Sequence, residues 1–273
     1  MKKGRLLANA YLVLVFGFLY VPIAVLIAFS FNESKSRTVF TGFTFKWYQN
    51  LFHNDMVLKS LGVSLGVAFA AACIATVVGT LAAIGISSMN KRARGAVMAV
   101  SYVPVVNPEI ITGVSLMLLF VFVKNAGVQL EFGFVTLVLA HITFNIPYVI
   151  LNVMPKLRQM DVSVYEAAQD LGCSPMQAFF KVVIPEIMPG ILAGFLMAVT
   201  YSLDDFIISY FVTGPTSQTL PITIFSMTRR KVSPEINALS TIIFVVVLIV
   251  LLAVNLNDAR RERENRVKAR ARV

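Results

Sequence analysis

The chain has 273 residues, of which 57% are hydrophobic and only 14% charged, and its mean hydropathy is +0.77; that balance excludes an ordinary soluble domain and calls for a bilayer as solvent. The net charge of +10 sits in short Lys/Arg clusters between apolar runs, where membrane topology needs it, and not as a basic face for nucleic acid. Two cysteines, Cys73 and Cys173, and two isolated histidines, His53 and His141, supply neither a disulfide framework nor metal-ligand spacing. Both histidines are expected as hydrogen-bonded structural groups.

In chain order, Met1 to Arg5 and the apolar run after it imitate a secretory signal. The run from Leu6 to Phe31 is far longer than a signal core and lacks a small-x-small cleavage site, so it predicts the first transmembrane helix. The stretch Phe43 to Phe52 reads as interfacial, with Trp47 and Tyr48 at headgroup level and a cation–π contact of Trp47 at an external mouth as the competing reading. Further membrane-length runs lie near 57–88, 96–123, 133–154, 186–212 and 236–257. With 6–31 they make six spans in one all-α integral membrane domain covering 1–273. The 57–88 run exceeds one crossing and predicts tilt or protrusion. The basic tail 258–273 is expected on anionic headgroups or without fixed structure.

Orientation follows from the cations. Lys2, Lys3 and Arg5, then Lys91, Arg92 and Arg94, then Lys156, Arg158 and Lys181, then the tail fall on one side, and the other side carries roughly half as many. That places both termini and the 156–185 loop in the cytoplasm. Within this loop Ser163 and Glu166 read as a capping box, Gly172 as the residue that closes a first short helix, and Ser174-Pro175 as the start of a second. The second carries Met176, Phe179, Phe180 and Val183 on one stripe and is expected to stop at Pro185. Two short helices with small Ala167 and Ala168 beside acidic Glu166 and Asp170 make a knob for a partner's groove.

Three carboxylates lie inside apolar runs, where an ionisable group is costly and usually faces a cavity or a partner. Glu109 follows Pro104 and Pro108, which interrupt the third span near its middle. Asp204 and Asp205 sit in the outer half of the fifth span, about 100° apart on a helix, so that one faces a pathway and the other a neighbouring helix. The plain alternative for each is a protonated acid or one paired with a buried amide or hydroxyl. Apart from Lys59 at the outer end of the 57–88 run, no Lys or Arg lies inside a span to neutralise them, and a cationic solute would do so. No Gly-x-x-x-x-Gly-Lys-Ser/Thr loop and no catalytic triad or metal cluster occurs, so the chain is expected to be no enzyme, with no catalytic or metal residues and no cofactor of its own.

The series Glu166, Ala167, Ala168, Gly172, Val182, Ile184 and Pro185 resembles the cytoplasmic "EAA" loop of permease subunits in binding-protein-dependent ABC importers. The runs from Ser202 to Pro215 and from Val232 to Ala238 look like the polyamine (spermidine/putrescine) permeases in particular. This resemblance implies a type I ABC importer permease fold in the cytoplasmic (inner) membrane. It assigns ATPase coupling to Glu166, Ala167, Ala168, Asp170, Gly172 and Pro185, and a substrate pathway to Glu109, Asp204, Asp205 and Trp47. The implied partners are a second permease, two ATPase subunits carrying ATP and Mg, an extracytoplasmic polyamine-binding protein and membrane lipid. The alternatives are an ABC importer of another small solute and a self-sufficient secondary cation carrier, which would have no need of the knob.

Overall fold

The structure is a computed structural model that describes residues 2–36, 39–230, 234–249 and 252. Its described elements are all helical apart from an isolated bridge between Asn32 and Phe43. Contacts divide it into two units, one from Met1–Asp55 with Ile224–Val273 and one from Met56–Thr223.

In the first unit, α1 (Lys2–Ser30) is long and apolar enough to cross a membrane and buries none of that apolar length. The turn that follows is tied by Asn32, whose side chain donates to the carbonyl of Val39 at 2.9 Å and accepts from the N–H of Thr41 at 2.9 Å. Its own carbonyl takes the indole N–H of Trp47, on α2 (Lys46–Phe52), at 2.7 Å. Trp47 is therefore 4% exposed and not the headgroup anchor or mouth residue expected of it, because a buried turn carbonyl needs a donor and the indole reaches it. Phe31, Phe43, Phe45 and Tyr48 stack around this turn. A final apolar helix of the unit is described over Pro234–Ile249; the rest of the run near 236–257, and the tail 258–273, lie outside the described residues apart from residue 252.

The second unit is built on small residues. The helix α3 (Asp55–Ser87) buries Ala68, Ala71, Ala72, Ala75, Gly79 and Ala83, and a Cβ on Gly79 would meet the Val149 Cβ at 2.7 Å. Val149 belongs to α6 (Phe134–Gln159), which also receives α9 (Ile184–Asp204) along Gly190, Gly194, Ala198 and Ser202. Added Cβ atoms at Gly190 and Gly194 would lie 2.9 Å from the Asn152 carbonyl and 3.2 Å from the Val149 Cα. Small residues every four positions let two backbones approach in lipid, where dispersion between closely packed helices replaces the hydrophobic effect as the attraction. Between them, α4 (Lys91–Val106) and α5 (Glu109–Asn125) meet at 101°.

The described residues include four helices long and apolar enough to span, and a fifth span if the bent α4–α5 pair counts as one. The broken third span is thus found where Pro104 and Pro108 predict it. At 33 residues, α3 would run about 50 Å against a hydrocarbon thickness near 30 Å, in keeping with its excess length.

Two expectations for the 156–185 loop need correction. The first short helix, α7 (Val162–Asp170), is capped by Asp161, whose carboxylate accepts from the Ser163 N–H at 3.0 Å, and not by a Ser163–Glu166 box. The acid two residues before Ser163 wins because an N-cap carboxylate reaches the unpaired N–H of the second helical residue. The second helix does not stop at Pro185. From α8 (Pro175–Ala178) the chain runs through a wide turn, Phe179–Val183, into α9, where Pro185 occupies the first turn and its missing N–H costs nothing. The added residue in that turn splits the expected stripe: Val183 is buried, whereas Met176 and Phe180 are exposed.

Candidate functional site

Two helix breaks, about a hundred positions apart in sequence, meet in the second unit. The first follows from proline chemistry. Asn107, preceding Pro108, is pushed to an extended conformation (ψ 140°), which ends α4, and Glu109 becomes the first residue of α5. Its carboxylate stands at the positive end of that helix. The second break, between α9 and α10 (Ile207–Val212), has neither proline nor glycine. Asp205 makes it, by turning its two carboxylate oxygens to the N–H groups of Ile208 (3.1 Å) and Ser209 (2.7 Å) while its own backbone is extended.

Between the breaks lies a cavity of about 180 Å³ lined by Pro104, Glu109, Thr112, Phe144, Tyr148, Tyr201, Asp204, Asp205 and Ile208. Glu109 and Asp204 are exposed into open space and make no hydrogen bond or ion pair among the described residues. Tyr148 on α6 and Tyr201 on α9 hold their rings 4.4 Å apart. Two carboxylates without a protein counter-charge, walled by aromatic rings, suit a cation that carries hydrocarbon. Of the four residues assigned to a pathway, Glu109, Asp204 and Asp205 are brought together here. Trp47 belongs to the other unit.

The aspartate pair divides at the helix end: Asp204 is the last residue of α9 and Asp205 lies beyond it with an extended backbone, so the 100° spacing of two helical neighbours does not apply. Asp204 faces the cavity. Asp205 is 8% exposed and lies 3.5 Å from Nε2 of His141, which in turn is 3.0 Å from the Ser209 hydroxyl. One turn along α6, Asn145 donates to the Ser202 hydroxyl at 2.8 Å. His141 and Asn145 are fully buried, so the structural role read for His141 holds, as it does for exposed His53, whose ring binds the Gln49 carbonyl. The Tyr148–Tyr201 pair and the Asn145–Ser202 bond escape sequence reading. Their only signal is polar or aromatic residues repeating every three or four positions in a span.

The loop residues expected to meet an ATPase form a compact exposed unit. Gly172, at φ +90°, closes α7 with the N–H of Cys173 on the Ala168 carbonyl and its own N–H on that of Gln169, the paired bonds of a left-handed helix stop. Ser174 and Gln177 cap α8 reciprocally. Glu166, Ala167 and Asp170 are exposed, and Leu171 is 87% exposed.

Residues 75–261 match the family described as binding-protein-dependent transport system inner membrane component. Relatives with established names include the putrescine transport system permease protein PotI of Escherichia coli strain K12, 43% identical over 88% of this chain and 86% of that one. The spermidine/putrescine transport system permease protein PotC of the same strain is 39% identical over 92% of this chain and 93% of that protein. The fold is also that of a bacterial ABC transporter importing the acidic polysaccharide alginate (TM-score 0.68, 13% identity, covering 94% of this chain and 98% of that one). A structure of a bacterial alginate ABC transporter in complex with an alginate pentasaccharide-bound periplasmic protein matches at TM-score 0.69 and 17% identity over 92% of this chain and 93% of that one. The helical architecture, the broken spans and the 156–185 loop are accounted for together: the chain belongs to the binding-protein-dependent transport system inner membrane components.

Proposed function

We infer that this chain is a membrane-spanning subunit of an ATP-driven importer of linear polyamines, putrescine and spermidine, and that it lines the path these amines take. The observation that carries the reading is similarity over about nine-tenths of the chain to permeases named for those two substrates. The cavity between the two helix breaks supports it, because Glu109 and Asp204 offer negative charge and the Tyr148–Tyr201 pair offers aromatic faces. An amine cation must shed water to cross, and carboxylates replace that hydration while ring faces accept its methylene chain. An acidic oligosaccharide, as in the alginate importers of similar fold, would meet repulsion at the same place.

The remaining assignments belong to the same reading. A second permease completes the pathway, two ATPase subunits bind ATP and Mg, and an extracytoplasmic binding protein delivers the amine. Both termini and the 156–185 loop face the cytoplasm, where Glu166, Ala167, Ala168, Asp170, Gly172 and Pro185 couple to the ATPase, with exposed Leu171 beside them. ATP favours one conformation over the other by its differential affinity and so drives the cycle.

The test is uptake of labelled putrescine and spermidine at matched expression. Glu109→Gln and Asp204→Asn are each expected to raise KM about tenfold, the loss of one charge-assisted contact, with assembly and basal ATPase unchanged. Parent-level KM in both variants would refute the pathway.

A further inference from the structure

Of the three intramembrane carboxylates, Asp205 differs in kind. Both of its oxygens are taken by backbone N–H groups of α10, at 3.1 Å from Ile208 and 2.7 Å from Ser209. The second oxygen is also 3.5 Å from His141 Nε2, and that nitrogen is 3.0 Å from the Ser209 hydroxyl. Its side chain is nearly closed off, whereas Asp204 beside it is exposed. A carboxylate satisfied on both oxygens in a low-dielectric interior has little left to offer a passing cation, and withdrawing it would strand two buried N–H groups.

We propose that Asp205, Ser209 and His141 form a latch that holds the α9–α10 break open, and that Asp205 is a positioning residue which aims Asp204 and Tyr201 into the cavity and does not itself bind substrate. The chain of cause runs through the backbone. Without a side chain to take the N–H groups of Ile208 and Ser209, α9 would gain by continuing helically past Asp204, since that supplies carbonyl partners for the same amides. The α10 residues Ile208 and Phe211 pack on Gly113 of α5, the helix that begins at Glu109, and each residue added to a helix turns those that follow by about 100°, so loss of the break would move α10 with α5 and shift Glu109 relative to Tyr201 and Asp204.

The latch is anchored to α6 at His141, and the Asn145–Ser202 bond one turn along ties the end of α9 to the same helix. His141 Nδ1 has no partner. With the proton on Nε2, where the Ser209 hydroxyl accepts it, the unpaired nitrogen is a bare acceptor, cheaper to bury than a stranded N–H. Charge is not what the latch requires. An acceptor oxygen at the start of α10 is, and a neutral Asn carbonyl or Ser hydroxyl supplies one with two lone pairs, where Asp supplies two oxygens.

That difference separates positioning from binding, and it rests on the polyamine reading for its transport arm alone. In the complete transporter reconstituted in vesicles, Asp205→Asn and Asp205→Ser are expected to keep putrescine KM within about threefold of the parent, while Asp204→Asn raises it about tenfold. Asp205→Ala is expected to lower maximal uptake by fivefold or more, in the manner of a lost cap. An independent readout is the rate at which Asp204→Cys, in a Cys73→Ser, Cys173→Ser background, reacts with uncharged methyl methanethiosulfonate. The rate should be the same with Asp or Asn at 205 and change at least about fivefold with Ala there.

A tenfold KM increase in Asp205→Asn matching that of Asp204→Asn would make Asp205 a substrate ligand and overturn the proposal. So would equal cysteine reactivity with Asp, Asn and Ala at 205. If instead Glu109→Gln and Asp204→Asn transport polyamines like the parent, the pathway reading fails while the reactivity contrast still reports the latch.

Discussion

Asp161 sets the start of α7 by accepting a hydrogen bond from the Ser163 N–H. Hydrogen bonds from the Ser163 side chain and backbone favour its ionised form and hold its carboxyl below the usual value of 3.8. A lowered folded pKa means that its support of the helix is complete above the ordinary carboxylate range and is lost as pH falls through the folded value. A spin label at Val164→Cys should therefore gain mobility on acidification from about pH 6 to about pH 3. With Asp161→Asn, which caps without ionising, the same label should show no such transition. A transition of equal size in both would place the titration elsewhere. Residue chemistry of the same sort decides the aspartate pair: identical neighbours in sequence, one open to the cavity and one satisfied by α10.

Among the elements, the α6–α9 pair depends most on what side chains leave out. Gly190 and Gly194 allow α9 to lie against Asn152, Val153 and Val149 of α6, and no room remains for even a methyl group at Gly190 without movement. Gly194→Leu is expected to cost about 1–3 kcal/mol by forcing the helices apart, read as a fall in thermal midpoint of the purified protein in detergent. Gly85→Ala on α3 is the control, because a Cβ there meets nothing within 4 Å, and it should lie within about 0.5 kcal/mol of the parent. Equal midpoints for Gly194→Leu and the parent would show that the contact is not needed for stability. The separation of these two helices also bears on function, since Ser202 and Tyr201 near the end of α9 are placed by it.

For the molecule as a whole, the distribution of Lys and Arg predicts topology. A cysteine-directed reagent that does not cross membranes should label the native Cys173 in the 156–185 loop only from the cytoplasm. In a Cys173→Ser background, Gln218→Cys should react only from outside. Labelling of both from one side would invert or break the assignment. The prediction uses the loop's Lys156, Arg158 and Lys181 and is independent of the likeness to the permease family, which gives the loop the same side by its role in meeting an ATPase.

Membrane class, four of the membrane-length runs, the helix break at Pro104 and Pro108 and the two-helix loop were legible in the residues because each rests on a local rule. About twenty apolar residues span a bilayer, a proline removes an N–H and constrains its predecessor, and glycine alone adopts φ +90° without strain. The motif of Glu166 to Pro185 and the run after Ser202 carried the family in the same direct way, since they are patterns of adjacent residues. What tertiary structure decided was everything that depends on a partner distant in sequence. The sequence shows Asp204 and Asp205 as equivalent, and only the N–H groups of α10 and the ring of His141 from α6 separate them. It shows Trp47 as an interfacial aromatic, and only the buried carbonyl of Asn32 draws it inward. A lone motif can specify a turn or a span, but whether a polar group is free or satisfied is a property of the pair, and the fold chooses the pair.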